Sequence, residues 1–175
     1  MRTGEVCALT WNDIDLVNGI IEVKHNVYDK KKDDKGRWYL GTTKTETGNR
    51  KVYIAQTLLK ALKNYKKKQL YYKELIGSDY HYYHLENVTN DYGKTVEYRI
   101  VENENNILNI NSLNFVFTKY DGSYIGTDLT KYPFKIIHKE LKIKNCRFYD
   151  LRGSYATKSL WERCKLKRSC RFIGT

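Results

Sequence analysis

At 175 residues and 20.8 kDa the chain has room for one domain and not for a two-domain enzyme. Hydrophobic residues at 41% and aromatics at 14% supply a core and exclude wholesale disorder. A formal charge of +12 and a pI near 9.4 favour a polyanionic partner, nucleic acid first.

The opening run RTGEVCALTWNDID sets Val6, Leu9, Trp11 and Ile14 at spacings that predict a helix, with Arg2 at or just before its start. Asn18-Gly19 marks a turn, and the β-branched run Ile20 to Tyr28 predicts a strand. A charged connection leads to a second strand at Trp38 to Thr43, and a turn through Glu46 to Asn49 to a third at Arg50 to Ile54. These make three antiparallel strands. From Thr57 the spacing of Leu58, Leu59, Leu62, Tyr65 and Leu70 predicts an amphipathic helix with lysines on its other face. The polar, Tyr-rich stretch Gly77 to Asn111 reads as an insertion with short strands of its own. Asn114 to Thr118 predicts a strand before the Asp121-Gly122 turn, Pro133 suits the first turn of a helix through Leu141, and a last helix begins at Asp150.

No run reaches the roughly 18 to 20 apolar residues of a membrane span, and the N-terminus lacks a secretory segment, which predicts a soluble, cytoplasmic protein. Cys7, Cys146, Cys164 and Cys170 are irregularly spaced and read as reduced, structural thiols. His25, His81, His84 and His138 form no HExxH pair, so no metal site is indicated.

Three ordered motifs, RTGEVCALTWNDIDL, GTTKTETGNRKVYI and RFYDLRGSYATKSL, resemble those of the tyrosine recombinases, or phage integrases, and most of all the integrases of Gram-positive conjugative transposons. The resemblance covers nearly the whole chain to about Leu160. It implies a mixed α+β catalytic domain, residues 1–160, with a small three-stranded antiparallel sheet beside a mainly helical body, acting on double-stranded DNA with other integrase protomers. Arg2 falls on the first catalytic arginine of the family and Arg152 on the second. Guanidinium forks suit the extra charge on the non-bridging oxygens of five-coordinate phosphorus. Lys44 matches the lysine between the second and third strands, whose ammonium can protonate the leaving 5′-oxygen. Thr43, Thr45 and Arg50 beside it suit phosphate contacts that position DNA without reading sequence. Tyr149 stands where most members have a histidine; a phenol can donate to a phosphate oxygen but cannot shuttle protons near neutrality.

In the family an NGV turn, a helix, an LGH tripeptide and the nucleophilic tyrosine should follow, whereas here the sequence runs WERCKLKRSCRFIGT. A frame change accounts for this. TGG GAA CGG TGT, a permitted encoding of Trp161 to Cys164, reads Gly-Asn-Gly-Val in the next frame. A permitted encoding of Cys170 to Thr175 likewise reads Ala-Asp-Leu-Leu-Gly, then His or Gln. Residues 161–175 are therefore expected to be a non-native tail. With no nucleophile assigned, the chain alone is expected to be an inactive fragment of a cofactor-free recombinase. A domain without its flanks is also expected to expose apolar surface on the helix that begins at Thr3. Two alternatives stand beside this reading. One is a non-catalytic DNA-binding remnant. The other is a basic RNA-binding domain stacking bases on tyrosines, although no RNP-type strand motif is present.

Overall fold

The structure, a computed structural model, describes residues 1–33, 36–42, 49–89, 92, 95–104, 112–158 and 161. The chain divides into two compact units, Gly4–Leu129, and Thr130–Thr175 with Met1–Thr3.

The first unit holds α1 (Thr3–Cys7) from Gly4 onward, β1 (Ile14–Asp15), β2 (Ile20–Val23), β3 (His25–Asp33), β4 (Gly36–Thr42), β5 (Arg50–Tyr53), α2 (Gln56–Ile76), β6 (Tyr83–Thr89) and β7 (Thr95–Glu102). All strand pairs are antiparallel, in a three-stranded sheet ordered β1-β2-β5 and a four-stranded sheet ordered β3-β4-β7-β6. The class is the expected mixed α+β, but the three-stranded sheet joins β1, β2 and β5, and the strand expected second in it, β4, pairs with β3 in the four-stranded sheet instead. The insertion after Gly77 does form strands, β6 and β7, which complete that second sheet.

Four expectations need correction. The opening helix does not run to Ile14 but stops at Cys7. Beyond it the Asp13 carboxylate accepts both the backbone N–H (2.9 Å) and the hydroxyl (2.7 Å) of Thr10, and this local bonding favours a tight turn over continued helix. Nor does α1 expose apolar surface: Val6 is half-buried and Cys7 buried, as are Ala8 and Leu9 just beyond the helix, and burial pushes the Cys7 thiol up to about 12, so it packs as a small hydrophobe. The strand expected from Ile20 to Tyr28 breaks at Lys24, where the chain leaves one sheet for the other. The run 114–118 makes isolated bridges, Thr10 with Phe115 and Thr118 with Tyr124, in place of the expected strand.

The core is formed by Cys7, Ala8, Val27, Leu40, Ile100, Phe115 and Tyr124. Tyr124 lies against Phe115 with ring centroids 4.3 Å apart and donates its hydroxyl to the Cys7 carbonyl at 2.9 Å. Helix α2 buries Leu59 and Leu62, and Gln69 ties it down: its Oε1 accepts from Trp11 Nε1 (2.6 Å), and its Nε2 donates to the Phe115 carbonyl (3.1 Å) and Thr118 Oγ1 (2.9 Å).

The second unit contains α3 (Lys131–Glu140) and a helix over 150–158, α4. Phe134 meets the rings of His138 and Phe148 edge-on, and the Cys146 N–H donates to His138 Nε2 at 3.2 Å, which fastens the connecting segment to α3. No helix of the described residues is long and apolar enough to cross a membrane.

Candidate phosphate-binding site

The RTGE segment carries two constraints besides Arg2. A Cβ on Gly4 would stand 2.3 Å from the Val27 carbonyl oxygen and 2.4 Å from Asn26 Oδ1, so α1 lies against β3 only because residue 4 has no side chain. Gly4→Ala should cost about 1–3 kcal/mol, the usual range for overpacking, read as a lower denaturant midpoint at unchanged slope. The next residue, Glu5, is buried at 2% exposure and meets Arg50 through two contacts, Oε2 to Nη2 at 2.6 Å and Oε1 to Nη1 at 3.3 Å. Arg50, expected on DNA phosphates, thus spends this fork on joining β5 to α1. Sequence reasoning missed Glu5, since nothing local distinguishes an acid on a buried helix face from a solvated one.

Arg2 is exposed and falls in the same compact unit as Arg152, near the other end of the sequence. Thr43, Lys44 and Thr45 lie outside the described residues.

Arg152 sits in the first turn of α4, and local bonds fix its position. The Asp150 carboxylate reaches back to accept the Arg147 N–H at 2.7 Å, and that bond, then the Arg147 guanidinium, holds its pKa below the ordinary carboxylate value against desolvation. The N–H groups of Asp150, Leu151 and Arg152 donate to the carbonyls of Arg147, Phe148 and Tyr149 (2.9, 3.2 and 3.0 Å), a tight turn leading into the helix. The Tyr149 ring is 56% exposed, free to meet a ligand from solvent. Arg152 Nη1 is buried and has no hydrogen-bond partner among the described residues. A buried unpaired donor costs about 1–3 kcal/mol, so this atom is primed for an acceptor. No group of three or more His, Cys, Asp or Glu side chains could hold a metal among the described residues.

No protein-family model matches the sequence. The prophage integrase IntR of Escherichia coli (strain K12) is 32% identical over 102 residues, which is 57% of this chain and 21% of that protein. Two structures of the Tn1549 transposon integrase, each solved in complex with circular intermediate DNA, superpose with TM-scores of 0.50. They are 19% and 20% identical, cover 83% and 81% of this chain, and are themselves covered to 35% and 34%.

This chain is similar to integrases. Similarity in sequence to one integrase and in fold to another agrees with the motif resemblance. The chain spans about a fifth of the curated protein and about a third of the solved chains.

Proposed function

We propose that the chain is catalytic-domain material of a site-specific DNA recombinase working in the bacterial cytoplasm on double-stranded DNA, alongside further integrase protomers. Arg2 and Arg152 clasp the non-bridging oxygens of one phosphate, Tyr149 donates to the same group, and Lys44 protonates the departing 5′-oxygen. Thr43 and Thr45 hold the adjoining backbone. Tyrosine attack conserves the energy of the phosphodiester in a 3′-phosphotyrosine link, so the chemistry requires no cofactor. No tyrosine of this chain is assigned as that nucleophile.

The observation that carries the reading is Arg152 Nη1 at the start of α4, buried and without a hydrogen-bond partner among the described residues. Arg152→Met separates function from structure because its two effects run in opposite directions. Duplex affinity, measured by fluorescence anisotropy, should fall roughly tenfold or more, the worth of a hydrogen bond to a charged group. The urea midpoint should stay level or rise, since an unsatisfied donor is removed. Wild-type affinity should also drop steeply between low and physiological salt as counterions are released. Undiminished duplex binding by Arg152→Met would remove the phosphate role. A nicked suicide duplex then distinguishes an active enzyme, which leaves a covalent protein–DNA band, from a binding remnant, which leaves none.

A further inference from the structure

On the first unit, away from the arginine motifs in sequence, α2 and the 118–124 turn form a second surface of different chemistry. Tyr71, Tyr72 and Tyr120 make a ladder of rings. Tyr71 and Tyr72 are 5.7 Å apart between centroids and Tyr72 and Tyr120 6.3 Å, each pair inclined near 60°. Tyr120 remains 67% exposed and Tyr71 60%. The ladder borders a shallow groove of about 220 Å³ floored by Tyr65, Gln69 and Thr118, with Lys68 and Lys119 on its rim. Lys68 Nζ lies 5.7 Å from the centre of the Tyr72 ring.

Tyr120 is held out rigidly. The Gly122 N–H closes the turn onto the Lys119 carbonyl (3.2 Å), the Lys119 N–H donates to Ser123 (3.0 Å), and Gly122 adopts φ +86°. A Cβ at Gly122 would stand 2.6 Å from the His81 carbonyl oxygen and from the Tyr80 ring, so the turn is seated directly on that segment. The nearest carboxylate in sequence, Asp121, accepts the Ser123 N–H at 2.9 Å and also attracts Lys119. The Gln69 amide is committed on both sides to the fold, leaving the exposed rings and the two ammonium groups to meet a ligand.

Exposed aromatic faces with lysines beside them match a base whose own face is free and whose phosphate is near. Paired DNA hides its base faces in the stack and offers only edges and backbone, so the ring of Tyr120 has nothing to stack on in a duplex. We infer that the Tyr71–Tyr72–Tyr120 ladder with Lys68 and Lys119 is a binding site for unpaired DNA, one base stacking on Tyr120 and the adjoining phosphate meeting the lysines. The choice of DNA over RNA rests on the recombinase reading; the site itself does not use Arg152.

The test is anisotropy with a fluorescent oligo-dT strand, an oligo-rU strand of equal length, and a blunt duplex, using the intact 175-residue chain. Tyr120→Ala should weaken oligo-dT binding roughly fivefold or more, the lower end of what one lost stacking partner gives. Tyr120→Trp should retain it, and Lys68→Glu should weaken it and flatten its salt dependence. Duplex affinity should be unchanged by Tyr120→Ala. Equal losses on strand and duplex, or no loss on the strand, would overturn the site; tighter binding of oligo-rU through the same residues would overturn the choice of DNA. A wild-type chain that ignores the duplex yet binds strands through Tyr120 would retire the recombinase reading and leave the stacking site standing.

Discussion

Arg50→Ala is expected to destabilise the first unit by about 3 kcal/mol or more, the range for removing one partner of a buried ion pair. Glu5 is the reason. Its side chain is 1% exposed, and the Arg50 guanidinium approaches both of its carboxylate oxygens from a position 31% exposed. Removing the cation leaves the carboxylate without this fork in a site that water hardly reaches. Arg50→Lys should recover only part of the loss, because an ammonium keeps the charge but not the two-point geometry. Urea unfolding followed by circular dichroism reads both variants. Full stability of Arg50→Ala would mean that the pair holds nothing together. Weak DNA binding by such a variant has to be compared at matched folded fraction, since the fold is affected first.

Phe115→Ala should cost a further, independent 3–5 kcal/mol or so, the range for truncating a buried aromatic side chain. Phe115 is 2% exposed, stacks on Tyr124, and lies in the core that α1, β3, β4 and β7 share. Its backbone contributes as well: its carbonyl accepts from Gln69 on α2, and it bridges Thr10. The cavity would therefore open where several elements meet, leaving little freedom for collapse. A midpoint shift smaller than that of Gly4→Ala would show that the neighbours close the hole.

The sequence was legible where periodicity and punctuation are local. The amphipathic spacing of α2, the Asn18-Gly19 and Asp121-Gly122 turns and the strands of the insertion all have counterparts in the structure. What could not be read depends on partners distant in the chain. Nothing around Lys24 announces that one extended run serves two sheets, because the division is set by which strands arrive beside it. Nothing in RTGE says that the glycine is needed for a carbonyl of β3 or that the acid is buried against an arginine of β5. Arg152 is the converse case. The motif suggests a phosphate ligand, and the structure adds a physical property, a buried donor with no partner among the described residues.

The break at Lys24 also bears on how the two sheets are tied together. Thr42 is paired with His25 and Arg50 with Val23, so the two ladders end on partners that flank a single residue. An insertion or deletion at that residue would move β2 and β3 out of step by one, turning the side chains of one of them to the opposite face of its sheet.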